Sequence, residues 1–206
     1  VVSLRAEDTW GNALETDDAR FTVDNTPPRI TFVGVTAGQR SQEALTPQVS
    51  VEDPHLDEQR VTLNGSEFVP GQTLSSEGDY LLRVVATDAA GNRADQQIQF
   101  SIDRSPPTLR FLEPAAESVF ADTQIPARLE SEAGARVQLN LGAWQSSVVA
   151  HADGIATFAA VPLLPGENRL VAVASDAAGN LSTPAEVRVF HVPEQGDLTG
   201  SLLLDS

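Results

Sequence analysis

Three short segments of this chain carry the pattern Asp-x-x-Gly-Asn: AEDTWGN at 6–12, ATDAAGN at 86–92 and ASDAAGN at 174–180. Their leading aspartates, Asp8, Asp88 and Asp176, stand 80 and 88 residues apart. Helical solenoid units run about 33–47 residues, so this period is too long for one. It is long enough for each unit to bury a small core of its own. The 206 residues are therefore read as repeated units before any element is assigned.

Around each loop the residues alternate with period two. In YLLRVVATD, Tyr80, Leu82, Val84 and Ala86 share one face, while Leu81, Arg83, Val85 and Thr87 share the other. Leu170, Ala172 and Ala174 repeat this before the third loop, as do Val2, Leu4 and Ala6 before the first. After the second loop, Ile98, Phe100 and Ile102 alternate with Gln97, Gln99 and Ser101; Phe21 and Val23 follow the first. Such alternation marks half-buried antiparallel strands, so each loop is expected to join the two strands of a hairpin. Val49 and Val51, Val61 and Leu63, then Ile125, Ala127 and Leu129, and Ala135, Val137, Leu139 and Leu141 extend the pattern. Asn64-Gly65 and Asp153-Gly154 supply hairpin turns, because a type I′ turn needs positive φ at both central positions. No stretch of ten or more residues has a helical period, and prolines interrupt the candidates. The expected fold class is all-β, a tandem of sandwiches.

Two junctions set the boundaries. VDNTPPRITF at 23–32 and IDRSPPTLRF at 102–111 each run from an apolar residue through Asp and two polar residues to Pro-Pro and a new strand. A Pro-Pro linker is stiff and extended, and proline cannot continue a central ladder. The expected division is 1–28, the last hairpin of a truncated domain; 29–105 and 106–193, one domain each; and 194–206, a linker or the start of a further domain.

Charge narrows the function classes. There are 29 acidic residues and 13 basic ones, all arginine, for a net charge of −16. That disfavours nucleic acid, whose phosphates need a cationic surface, and anionic lipid. It suits solubility or divalent cations. With no cysteine there is no disulfide, thiolate metal site or cysteine nucleophile. No apolar run is long enough to insert in a membrane. The opening VVSLRAEDTW reads as the interior of a longer polypeptide.

The Asp-x-x-Gly-Asn hairpins, the VDNTPP and IDRSPP junctions, VTLNG and GENRLVAVASDAAGN together resemble the bacterial immunoglobulin-like tandem repeats of large secreted and surface proteins, including giant adhesins. The resemblance covers nearly all of residues 1–192. It implies immunoglobulin-like β-sandwiches in an extracellular or cell-surface stalk, with calcium at domain junctions in some relatives. Tyr80, near the start of its strand, is similar to the tyrosine corner of that fold, and Asn168 replaces it in the last repeat. The function expected is structural: spacing and presentation of other domains, adhesion-related, with antiparallel pairing of first and last strands resisting pull. The alternative is an accessory region, carbohydrate-binding in one version, of an extracellular hydrolase or toxin. Expected partners are neighbouring domains of the same chain, with a protein or glycan ligand left open.

Two readings of the repeated loop stand side by side. In one it is turn chemistry: Asp8, Asp88 and Asp176 accept from backbone N–H groups two residues on, and Gly11, Gly91 and Gly179 supply positive φ. In the other, loop and linker oxygens hold Ca2+. Asp88, Asn92 and Asp103 are the candidate ligands at the junction of the second and third units, the loop pointing forward to the next domain. Asn12, Asn180, Asp24 and Asn25 offer similar oxygens, and Asp53, Asp57 and Glu58 form another acidic loop.

Catalytic patterns are missing. His55, His151 and His191 have no zinc spacing and are expected at exposed loops or strand ends. Pairs drawn from Asp79, Asp95, Asp122 and Asp153 carry no weight among 29 acids. No nucleophile elbow, phosphate loop or dinucleotide fingerprint occurs, and the chain is not expected to be an enzyme. Trp10 and Trp144 are expected at contacts between domains rather than on a sugar-binding platform.

Overall fold

The computed structural model describes residues 5–15 and 23–193, with Leu14 and Glu15 described by their backbone alone. Every regular element among them is a strand. A hairpin of β1 (Arg5–Glu7) and β2 (Ala13–Glu15) comes first. Then follow β3 (Arg29–Val33), β4 (Gln39–Ser41), β5 (Gln48–Glu52), β6 (Leu56–Leu63), β7 (Ser66–Glu67), β8 (Gly78–Asp88) and β9 (Arg93–Ile102). After the second Pro-Pro come β10 (Leu109–Glu113), β11 (Val119–Phe120), β12 (Gln124–Ser131) and β13 (Arg136–Leu141). The last are β14 (Trp144–Val149), β15 (Ile155–Pro162), β16 (Gly166–Ser175) and β17 (Ala185–His191).

The chain divides into two compact units. Residues up to Gln39, with Leu45–Leu74 and Asp79–Phe100, form the first; Arg40–Ala44, Ser75–Gly78 and residues from Ser101 onward form the second. This differs from a cut at residue 105. Asp103 and Arg104 bond to Ser41, Gln42, Ser75 and Glu77, and so draw those short segments with them.

In the first unit β3 and β5 pair antiparallel, Ile30 opposite Val51 and Phe32 opposite Val49. Their inner faces meet Val61, Val84, Ala86 and Ala94 of a sheet ordered β4-β9-β8-β6-β7. The Asn64-Gly65 turn has φ of 50° and 83°, as its two-residue hairpin requires. In the second unit a sheet ordered β10-β12-β15 faces one ordered β11-β17-β16-β13-β14. One core joins them: Ala127, Leu129, Phe158 and Val161 pack with Val137, Leu139, Leu170, Ala172, Val187 and Val189. Leu139 and Leu170 expose no surface, and each such burial is worth about 1.5–3 kcal/mol. These are immunoglobulin-like sandwiches, two mainly antiparallel sheets over one core with a leading segment that changes sheet.

The first hairpin is thinner. Ala6 is exposed and Val23 is 67% exposed, while Val2, Leu4 and Phe21 lie outside the described residues. A second departure concerns the end strands. β11 pairs with β17 in parallel, Val119 with Phe190 and Phe120 with His191, where antiparallel pairing is the expectation from sequence. The reason is directional: a leading strand that changes sheet still runs toward the far end, as the last strand does.

Strand direction also fixes where the repeated loops lie. Arg29 opens β3 opposite Glu52, which closes β5; Leu56 opens β6 opposite Asp88, which closes β8. The loop after β8 therefore sits at the end where the chain comes into β3. In the second unit Leu109 lies opposite Ser131 and Arg136 opposite Ser175, which puts the loop after β16 at the incoming end as well.

Candidate functional site

Each Asp-x-x-Gly-Asn loop builds the same clasp from its own residues. Asp88 Oδ1 accepts from the N–H of Ala90 at 2.9 Å and of Asn92 at 2.8 Å, and Oδ2 accepts from Asn92 Nδ2 at 2.8 Å. Asp176 repeats this with Ala178, Asn180 and Asn180 Nδ2 at 2.9, 2.8 and 2.8 Å. Asp8 does so with Trp10, Asn12 and Asn12 Nδ2 at 2.9, 2.9 and 2.8 Å. A short carboxylate two residues ahead of a bend is the group best placed to close it. The glycines turn the chain back: φ is 81° at Gly11, 90° at Gly91 and 93° at Gly179. An alanine Cβ at Gly91 would meet nothing within 4 Å, so Gly91→Ala should cost only the strain of positive φ, about 1 kcal/mol in a chemical melt.

The asparagine amide has a second proton, and its destination gives the loop a role. Asn92 Nδ2 donates to Asp24 O at 3.0 Å, and Asn180 Nδ2 donates to Asp103 O at 2.9 Å. Asp24 and Asp103 hold the same place in VDNTPP and IDRSPP. Each also caps its own linker, Asp24 Oδ1 accepting from Thr26 N–H and Asp103 Oδ1 from Ser105 N–H, both at 3.0 Å. The linker is thus shaped by its own aspartate and fastened by the asparagine of the sandwich it leads into.

Other residues reinforce each linker differently. His55 Nδ1 lies 3.5 Å from Asp24 Oδ2. Arg104 donates from its backbone N–H to Glu77 Oε1 at 2.6 Å, from Nε to Gln42 O at 2.7 Å and from a terminal nitrogen to Ser75 O at 2.6 Å. Gln42 Nε2 then reaches Ala178 O at 3.3 Å, on the loop itself. Sequence reasoning missed Gln42, Glu77 and Arg104. Only the doubled position of Arg104 and Asn25, just after the linker aspartate, hinted at them.

The candidate calcium ligands have partners of their own within each unit. Asn92 is held on Asp24, and Asp103 is held by Asn180, because each loop turns back to its own incoming linker rather than forward. Among the described residues no three histidine, aspartate or glutamate side chains gather to hold a metal ion. Asp88, only 2% exposed, already accepts three N–H bonds, so a cation would have to displace them. Asp53 caps its own turn, accepting from His55 N–H at 2.7 Å.

Those hydrogen bonds set the charge state. The Asn92 side chain, then the N–H groups of Asn92, Ala90 and Gly91, hold the Asp88 carboxyl below its usual range against the opposing effect of burial. At Asp176 burial is the largest influence and pushes upward, but Asn180, Gly179 and Ala178 outweigh it and the carboxyl is again lowered. A carboxylate depressed in the folded state stabilises fully above its unfolded pKa, about 3.9, and less as pH falls through the folded value. Melting temperature should therefore stay level from about pH 7 to 5 and fall below about pH 4. In Asp176→Asn the second unit should melt lower at neutral pH and show a shallower acid decline, read by circular dichroism.

The remaining candidates fall elsewhere. Trp144 is half-buried on β14 and packs against the sandwich core. Trp10 is 88% exposed at its loop tip. His55 and His151 are exposed, but His191 is buried, its Nε2 3.2 Å from Ala121 O and its Nδ1 without a partner. Asn168 is buried where the tyrosine corner would stand, and bonds the backbone of Leu164 and Gly166.

With this geometry in hand, known proteins add little beyond fold. No protein-family model matches the chain, and no curated protein matches it. The fold is that of tandem immunoglobulin-like β-sandwiches. Among solved structures, the fibronectin(III)-like modules of Clostridium thermocellum CbhA are 14% identical, covering 80% of this chain and 95% of that one at a TM-score of 0.43. A tetra-tandem repeat from the extending region of a large adhesion protein is 21% identical, covering 90% of this chain and 55% of that one, at 0.42. The BSP domain of a biofilm associated protein is 14% identical, covering 78% and 30%, at 0.35. Among the described residues no helix is long and apolar enough to cross a membrane.

Proposed function

We propose that this chain is a spacer: immunoglobulin-like repeats of a secreted or cell-surface bacterial protein that extend and present other domains, in an adhesion-related role. The observation that carries this reading is the clasp, built twice on the same linker position by the same loop position. A turn needs only the aspartate and the glycine. The asparagine's second bond does nothing for the turn and restrains the linker, which is what a spacer requires of its joints. The carboxylates of Asp88 and Asp176 each accept three N–H bonds from their own loops, which suits a joint better than a ligand site.

The test is the pair Asn92→Ala and Asn180→Ala in one chain, compared with the parent by small-angle scattering and thermal melting. Each buried bond lost should cost about 1 kcal/mol. The distribution of chain dimensions should broaden, since the proline linkers would keep their stiffness and lose their anchorage. Superimposable scattering curves at a lowered melting point would reduce the loops to turns and remove the basis for a spacer.

A further inference from the structure

Asn64 does two jobs in its turn. It supplies one of the positive φ values that the two-residue hairpin between β6 and β7 needs, and its side chain crosses to the start of β8. There Oδ1 accepts from Leu81 N–H at 2.8 Å, Nδ2 donates to Asp79 O at 3.1 Å, and the Asn64 backbone N–H donates to Leu81 O at 2.9 Å. These bonds carry the β6–β8 ladder one step past its last pair, Leu63↔Leu82. The turn itself stands clear. A Cβ added at Gly65 would meet nothing within 4 Å, and among the described residues the Gly65 N–H meets no acceptor. Of the seven asparagines in the chain, only Asn64 is followed by glycine.

We propose that Asn64-Gly65 is a site of spontaneous deamidation, held closed by the bonds from Asn64 to β8. With no Cβ on its residue, the Gly65 nitrogen is the least hindered nucleophile that follows any asparagine here. It attacks Asn64 Cγ. The new C–N bond closes a five-membered imide as the Cγ–Nδ2 bond breaks, and ammonia leaves with the proton from Gly65. Water then opens the imide at either carbonyl, giving aspartate or, with the backbone rerouted through Cβ, isoaspartate. To reach the Gly65 nitrogen the carboxamide must leave Leu81 and Asp79. The reaction therefore waits on local opening of this corner, where β7 has only two residues and stands last in its sheet order.

The change runs one way. Aspartate at this position keeps an acceptor for Leu81 N–H, but it turns an oxygen toward Asp79 O where Nδ2 had donated, and it adds charge to a chain already at −16. Isoaspartate adds a backbone atom to a turn whose two residues fix the pairing of Thr62 with Glu67 and Leu63 with Ser66. Either product weakens the bonds that held the reaction back. The site lies at the opposite end of β6 from Asp88, so it stands apart from the clasp and from the spacer reading.

The test is peptide mapping by mass spectrometry of the chain held at mildly alkaline pH, beside a synthetic peptide of residues 61–67. Giving up two hydrogen bonds corresponds to about ten- to a hundredfold, so the folded chain should convert at Asn64 that much more slowly than the peptide. In denaturant the two rates should agree, and Asn64 should be the first asparagine of the folded chain to change. After conversion, Leu81 N–H should exchange with solvent at least about tenfold faster than in the parent, with Leu170 of the second unit unchanged. A folded chain that converts at the rate of the peptide or not at all, another asparagine that changes ahead of Asn64, or unaltered exchange at Leu81 would each overturn the proposal.

Discussion

Asn168→Ala should lower the stability of the second unit by roughly 3 kcal/mol, which for a unit of this size is a melting shift on the order of 10 °C or more. Asn168 is 1% exposed, and its amide serves three bonds. Oδ1 accepts from Leu164 N–H at 2.8 Å, and Nδ2 donates to Leu164 O at 2.7 Å and Gly166 O at 3.0 Å. Truncation removes all three at about 1 kcal/mol each, although Leu164 and Gly166 are themselves exposed and their freed groups can meet water. Asn168→Asp should be no rescue, since the carboxylate keeps one acceptor, loses both donors and buries a charge. The check is a chemical melt with amide exchange at Leu164, which should open faster in both variants. A loss under about 1 kcal/mol would mean that the corner is held by the packing of Leu163 and Leu170 instead.

Gly154→Ala should cost about as much, roughly 3 kcal/mol, for a different reason. Gly154 has φ of 79°, so alanine is strained there from the outset. Its added Cβ would also come within 2.6 Å of Ser131 O, a backbone atom that cannot swing aside. The same contact zone carries the Ser131 N–H bond to Gly154 O at 2.8 Å, so relief by movement would break the ladder's end. Gly91→Ala shares the strain without the collision. Measured side by side, the two variants should differ about threefold in free energy, and equal losses would refute the collision.

Period-two alternation carried most of the fold. Leu82, Val84 and Ala86, and Leu170, Ala172 and Ala174, are all buried, because a pleated strand has only two faces and the apolar residues had chosen one. The loop aspartates and glycines were legible for the same local reason, since a turn is decided within five residues. The direction of the loop was not. Knowing that Asn92 faces Asp24 needs the strand directions of the whole sheet, which no short window contains. Asn168 was read as a missing tyrosine, because nothing local says that an amide can reach back four residues to do a related job. Arg104, Glu77 and Gln42 are joined only by the folded chain, and their separation in sequence hides them.

The clasp also says where such a chain can be cut and copied. A cassette that begins at Pro106 would leave Asn180 without Asp103, and one that ends at Arg104 would export an aspartate whose asparagine stays behind. Only a segment that starts ahead of the linker aspartate and stops ahead of the next one, Asp24 to Ile102, carries both halves of its own fastening. Duplication of that segment would copy the clasp whole, while Asn25 would stand where Arg104 now bonds Gln42, Ser75 and Glu77. The Pro-Pro pairs, the most visible punctuation in the sequence, are therefore internal to the segment that keeps its clasp whole rather than its borders.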